Sequence, residues 1–280
     1  MQNMIHVKCR QEFYPFSKIK RFLIPDEKVS WHVKFLDYNP PHYTSNNECN
    51  LADKNINDPS FAPAWNMMDG NINRKSFMKS YVIDDEGYPL NPVGRTGIKG
   101  RGILRYWGPN HAADPIVTRW KRDRFGKIMS HELSRKCILQ FIGIERRDTG
   151  QWAIPGGMVD RNEVISTTLK REFMEEALNT LEKSSEEIET FKRSIDQLFL
   201  GGYKIYEGYV DDPRNTDNSW IETSACNFHD ENNTVVGNLP FEAGDDAANV
   251  KWIDIDKNLD LYASHIQFLE LVSHKHNAHW

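Results

Sequence analysis

Three glutamates, Glu172, Glu175 and Glu176, stand at positions i, i+3 and i+4 of one short segment. In a helix each residue turns by about 100°, so that spacing gathers the three carboxylates into a narrow arc of one face. Like charges so placed destabilise a helix by roughly a few tenths of a kcal/mol per pair and raise one another's pKa. A hard divalent cation removes both costs. Oxygen donors of this kind suit Mg²⁺, with Mn²⁺ as the alternative. Mg²⁺ usually keeps several waters and is shared between carboxylates and substrate phosphates. The spacing therefore points to metal-assisted chemistry on a phosphate group.

The elements that must hold these carboxylates can be read outward from them. Residues 166–181 have helical spacing. Leu169, Phe173 and Ala177 step by four and form an apolar stripe beside the acidic arc. Upstream, Pro155-Gly156-Gly157 predicts a tight turn where backbone approaches a metal or ligand. Glu163 lies near the helix start and can pair with Arg171, holding the loop against the helix. An isolated E-x-x-E-E is ordinarily a solvated helix face; joined to Gly157, Glu163 and Arg171 at fixed spacing it is not. Asp245 and Asp246 follow Gly244 as a second acidic pair, which can extend a metal shell, act as a general base or cap an element.

Around this centre, 116–120, 137–144, 203–210 and 249–255 read as strands, and 264–276 as a terminal helix with Ile266, Leu269 and Val272 on one side. Residues 1–90 are rich in proline, asparagine and aromatic residues, which predicts short strands and turns in an ordered segment. A composition shift near Arg124 separates the irregular part from the regular one. Strands and helices without strict alternation indicate α/β or α+β layers.

Gly157, Glu163, Arg171, Glu172, Phe173, Glu175 and Glu176 match the pattern G-x5-E-x7-R-E-U-x-E-E-x-G-U, where U is a bulky apolar residue. The segment resembles the Nudix box. It departs at the end, where Leu178 replaces the usual glycine and Asn179 the usual apolar residue. Residues 94–102, 107–120, 208–220, 242–247 and 261–265 extend the resemblance over nearly the whole chain, from about Tyr14 to Trp280. They are similar to the ADP-ribose pyrophosphatase family of mitochondrial type, and equally to the homologous C-terminal Nudix domain of melastatin-type ADP-ribose-gated cation channels.

The resemblance implies an α/β (α+β) Nudix fold, a mixed sheet sandwiched between helices. It implies an N-terminal strand- and loop-rich cap at 1–122, a Nudix domain at 123–280, and a ligand in the cleft between them. The implied reaction is Mg²⁺-dependent hydrolysis of ADP-ribose to AMP and ribose 5-phosphate. Glu163, Arg171, Glu172, Glu175, Glu176 and Asp246 would form the catalytic set, with metal on Gly157, Glu172, Glu175 and Glu176. Ile154, Asp212, Arg214, Asn215, Asp217, Tyr262 and His265 would bind substrate. The residue types agree: Arg214 offers a bidentate fork to phosphate, Tyr262 can stack, His265 can donate, and Asp212, Asn215 and Asp217 can accept from ribose hydroxyls. The same D-D-P-R-N-T-D-N run is also rich in turn formers.

Composition narrows the alternatives. The 280 residues carry 40 acidic and 35 basic side chains, a net charge of −5, which argues against nucleic-acid binding driven by bulk charge. No apolar run is long enough to cross a membrane, so no membrane contact is expected within the chain. Cys9, Cys49, Cys137 and Cys226 are scattered, which predicts a reducing compartment and neither a disulfide framework nor a zinc ribbon. The start has several bases but no apolar core of a secretory signal. The expected location is mitochondrial or cytoplasmic, or the cytoplasmic face of a membrane if the chain is part of a channel. Gly94–Gly102 lacks a P-loop ending, and His274, His276 and His279 read as ordinary helix-end histidines.

Two further functions compete with ADP-ribose hydrolysis. One is an ADP-ribose sensor without turnover, partnered by the rest of a tetrameric channel. In vertebrate-type channel domains the R-E-F-x-E-E core is degraded; here Arg171, Glu172, Phe173, Glu175 and Glu176 are all present, which favours turnover. The other is hydrolysis of a different nucleoside diphosphate derivative, such as ADP-glucose or NADH.

Overall fold

Alternation along the central strands decides which side of the sheet each residue joins. A computed structural model describes residues 6–45, 52–239, 241–244 and 247–280. Two units divide them: residues up to His111 with Gly208–Thr223, and Ala112–Glu207 with Ser224–Trp280.

The first unit has little regular structure, as its prolines predict. It contains β1 (His42–Thr44), β2 (Met68–Asp69), β3 (Ile72–Asn73) and β4 (Lys99–Gly102). β1 pairs with β4 in parallel and β2 with β3 antiparallel. Buried polar groups hold it together. Arg74, 1% exposed, donates two bonds to Asp53 (2.7 and 2.8 Å) and one to Asp69 (2.7 Å). Tyr81, Tyr209 and Trp220 form its aromatic core.

Next come β5 (Gly108–Trp120), β6 (Leu139–Arg146), β7 (Trp152–Ala153), β8 (Gly157–Met158), α1 (Ile165–Leu178), α2 (Ser185–Leu200), β9 (Tyr203–Tyr209), β10 (Ser219–Asp230), β11 (Ala247–Asp254) and α3 (His265–Lys275). The sheet order is β11-β6-β5-β10-β9, with β7 on β6 and β8 on β5. Ala113 and Val117 of β5, Ile142 of β6 and Phe228 of β10 face α1 and α2, meeting Leu169, Phe173, Ala177, Phe191, Ile195 and Leu198. Ile116, Leu139, Phe141 and Ala225 face the other way and meet Phe268, Leu269 and Val272 of α3. The sheet therefore lies between helices, as expected. No helix of the described residues is long and apolar enough to cross a membrane.

Several expectations are corrected here. α1 stops at Leu178 instead of running to 181, because Asn179 takes the left-handed conformation (φ 50°, ψ 42°) that ends helices. Helix α2 and strand β10 went unread. The division after residue 122 shifts to 111/112. From Ala112 onward β5 already packs in the sheet core, and the composition shift near Arg124 is a turn, in which Asp123 accepts from the Phe125 and Lys127 amides. Gly208–Thr223 joins the first unit.

Candidate active site

Arg171 is the hub of the second unit's site. Its Nε and Nη2 donate to the two Glu163 oxygens at 2.9 and 3.0 Å, Nη1 donates to Glu175 at 2.9 Å, and Nη2 also reaches the Met158 carbonyl at 3.1 Å. Nη1 lies 2.8 Å from Glu172. One guanidinium thus ties the loop after β8 to α1 and screens three carboxylates. The Glu163 bond, more than the neighbouring carboxylates, pushes the Arg171 pKa up against its partial burial. Burial pushes Glu163 up, but Arg171, Thr168 and the Asp160 amide together hold it below the ordinary carboxylate range. Glu172 goes the other way. Burial raises it to about 7, because desolvation outweighs Arg171 while Glu175 and Glu163 add repulsion.

The Gly156–Gly157 turn is wedged between β5 and α1. β8 pairs with β5 so that Gly157 lies opposite Ala113 and Met158 opposite Ala112. A Cβ on Gly157 would overlap the Glu172 carboxylate; one on Gly156 would overlap Asp114 Oδ1 and lie 2.9 Å from the Ala113 carbonyl oxygen. The Gly156 amide donates to Glu176 Oε2 at 2.8 Å. At the far end of α1, the Glu242 and Gly244 amides donate to the Ala177 and Glu176 carbonyls (2.9 and 3.2 Å), satisfying acceptors that a helix end leaves open.

These residues fit a divalent metal in chemistry. Glu172 and Glu176 are buried carboxylates against the Gly156–Gly157 turn, with Glu175 one turn along, and all are hard oxygen donors. Among the described residues no three acidic or histidine side chains converge into a ready cage. Asp246, with Asp245, lies outside the described residues.

α3 and the segment before it supply a second group. The Ile154 amide donates to His265 Nδ1 at 2.9 Å, so a neutral His265 carries its proton on Nε2. Asp114 Oδ1 lies 3.9 Å from that Nε2. The Ile154 side chain is buried in the core, and its main chain is what bonds His265. Tyr262 is fixed by its amide bond to the Trp152 carbonyl (2.9 Å), and Arg146 lies 4.4 Å over its ring. Asp114 and Arg146 were not picked out in the sequence; no local motif marks either one.

The loop at 211–218 belongs to the first unit. Arg214 donates from Nε and Nη2 to the two oxygens of Asp212, each at 2.8 Å, which leaves its guanidinium oriented and partly exposed. Asn215 and Asp217 are bonded within the protein. Both are buried. Asn215 donates to the Val210 carbonyl and accepts from the Ile221 amide. Asp217 accepts from the Thr96 amide and hydroxyl and from Tyr38. Both side chains hold the loop in its fold.

A carboxylate-bearing helix clamped by one arginine onto a double-glycine turn, on a sheet flanked by helices, defines a class. The NUDIX domain model matches residues 133–272, and the model described as NUDT9-like, N-terminal domain matches residues 24–108. The chain belongs to the NUDIX family. It is 55% identical to a rat protein named ADP-ribose pyrophosphatase, mitochondrial, over 98% of this chain and 79% of that one. A nudix hydrolase of Caenorhabditis elegans is 43% identical, covering 98% of this chain and 99% of its own. A transient receptor potential cation channel subfamily M member-like 2 protein of Nematostella vectensis is 47% identical over 98% of this chain, which spans 18% of that channel's length. Nudix hydrolases generally work with a divalent metal ion.

Proposed function

We propose that the protein hydrolyses ADP-ribose to AMP and ribose 5-phosphate with Mg²⁺, or Mn²⁺ in its place. The carrying observation is the intact Arg171 clamp on Glu163, Glu172 and Glu175 beside the Gly156–Gly157 turn. The substrate follows from the rat relative's name, at 55% identity over nearly the whole chain. Glu172, Glu175, Glu176 and the main chain of Gly157 would hold the metal. Bound there, Mg²⁺ would spread the diphosphate's negative charge and acidify water.

The chain's own residues supply placement. Arg171 keeps Glu163, Glu172 and Glu175 together without letting any one swing away. The Gly156 amide fixes Glu176. Asp212 pre-orients Arg214 for a phosphate or ribose oxygen, and Tyr262 and His265 offer a stacking face and a donor. Positioning of this kind can be worth several kcal/mol of barrier. A mitochondrial location, with a cytoplasmic one as the alternative, belongs to the same proposal.

A sensor domain of a channel is the second reading, favoured by the Nematostella match over 98% of the chain. One experiment separates them. Purified protein is given ADP-ribose with excess Mg²⁺; AMP and ribose 5-phosphate should appear in equal amounts, and chelator should stop them. Binding heat without AMP would establish the sensor and overturn the enzyme. A panel with ADP-glucose and NADH tests the substrate; ADP-ribose should be turned over fastest.

A further inference from the structure

The turn between β6 and β7 carries a hydroxyl that the proposed hydrolysis does not use. The chain reverses over Arg147, Asp148, Thr149 and Gly150, and all four residues are exposed. Two main-chain bonds close the turn: the Arg146 amide donates to the Gln151 carbonyl at 3.0 Å, and the Gly150 amide to the Arg146 carbonyl at 2.9 Å. Thr149 Oγ1 accepts from the Gln151 amide at 3.4 Å, and its hydroxyl bonds the Asp148 carboxylate.

Asp148 also accepts from Arg146 Nε and Nη2, at 3.0 and 2.8 Å. The Arg146 bonds foremost, with help from Thr149, hold Asp148 below the ordinary carboxylate range against its slight burial. Arg146 in turn lies 4.4 Å over the Tyr262 ring. Thr149, Asp148, Arg146 and Tyr262 thus form one line of contacts inside the second unit.

The order Arg146-Arg147-Asp148-Thr149 places two guanidinium groups three and two residues before the hydroxyl. Protein kinases select substrates by charge patterns of this kind, and arginines pair in bidentate fashion with carboxylates of a substrate groove. A kinase reads an extended segment, so the turn must open. β7 is only two residues long, and local opening of such a hairpin end takes little free energy.

We propose that Thr149 is a phosphorylation site for an arginine-directed protein kinase, and that its phosphate breaks the pair between Asp148 and Arg146. In the transfer, Thr149 Oγ1 bonds to the γ-phosphorus of ATP. The bond from that phosphorus to the β–γ bridging oxygen breaks, ADP leaves, and the hydroxyl proton passes to the kinase's catalytic aspartate. The product carries about −1.5 to −2 charge next to Asp148. It repels that carboxylate and pairs with the exposed Arg147. Arg146 then loses the anion that helps to hold it over Tyr262. The effect on turnover rests on the reading of Tyr262 as a substrate contact.

The test treats the purified full chain with the catalytic subunit of cAMP-dependent protein kinase and Mg-ATP. Mass spectrometry should map phosphate to Thr149. Arg147→Ala should slow its incorporation by about tenfold or more, the size of a lost charged hydrogen bond. No phosphate at Thr149, or an equal rate in Arg147→Ala, would overturn the site. After removal of kinase and nucleotide, the amides of 146–151 should exchange hydrogen faster than before treatment; unchanged exchange would overturn the break. The KM for ADP-ribose should rise about threefold to tenfold with kcat unchanged, while Thr149→Ala treated alike keeps its KM. An unchanged KM in the phosphorylated chain refutes the link to Tyr262. Absence of turnover in the untreated chain refutes the proposed hydrolysis instead, and mass and exchange still decide the phosphorylation.

Discussion

At the scale of single residues, the proposed mechanism separates groups that would touch substrate or metal from groups that hold them. Glu175 is proposed to be of the first kind. Glu175→Gln keeps the shape and removes the charge, so kcat should fall by about a hundredfold or more, with thermal unfolding little changed. Near-normal turnover would exclude Glu175 from the metal shell. Arg171 belongs to the second kind. Lysine cannot make the two bonds to Glu163 and also reach Glu175 and Met158. Arg171→Lys should lower activity and destabilise the fold by about 1–3 kcal/mol, which urea unfolding would measure. Residue type made the pairing of Arg171 with Glu163 legible, because charge and spacing sit in the chain itself. It did not show the burial of Asn215 and Asp217. Both are good ribose partners by chemistry, yet both are buried and engaged by Val210, Ile221, Thr96 and Tyr38. The Asp217 partners lie over a hundred residues away, and burial set at that range leaves no local trace.

At the scale of elements, helix ends carry the lesson. α1 was legible because Leu169, Phe173 and Ala177 repeat at helical period. Its end was not, because a left-handed asparagine does there what glycine commonly does one residue earlier in the family pattern. Asn179 is further held by bonds to Glu182 and Glu242. Asn179→Ala should cost about 1 kcal/mol or more, seen as a lowered melting temperature, whereas Asn179→Gly should cost less. α2 is absent from the sequence reading, although Ser184 and Glu187, which bond reciprocally as a capping box, and Ile188, Phe191, Ile195 and Leu198 carry a signal for it. Ser184→Ala should cost about 1 kcal/mol by the same measurement and leave turnover intact. β10 is harder. Glu222, Thr223, Ser224 and Asn227 are all buried polar residues, so the strand shows no alternation to read.

At the scale of the whole molecule, stability should depend on acid through buried histidines. Burial lowers His6 to about 4, outweighing the Arg95 carbonyl and Asp211, which raise it. Burial and then the neighbouring His229 lower His276 to about 4, against Glu231. Burial also lowers His229, despite Glu231 and Asp230. An unfolded histidine titrates near 6.5. Between about 6.5 and about 4 the unfolded chain binds protons that the folded chain does not, so stability falls as pH falls through that window. Urea midpoints should drop from about pH 7 to about pH 5, and His6→Gln together with His276→Gln should flatten the decline. The domain organisation was legible as two parts, but the return of 208–223 to the first unit was not, since that segment follows a strand of the second and carries no linker composition.

The double glycine has a genetic consequence. Space at 156 and 157 ends at the α-carbon on the side a side chain would fill, with carboxylates closing it off. Every other amino acid brings a β-carbon, so neither position grades its replacements by size, charge or polarity. In a library of all single-codon variants selected for hydrolysis, both columns should be blank except for synonymous alleles. Glu163 and Phe173, by contrast, should each tolerate a few chemically similar entries. A site with no conservative substitution also has no intermediate alleles, and a lineage that loses either glycine can recover function there only by reversion.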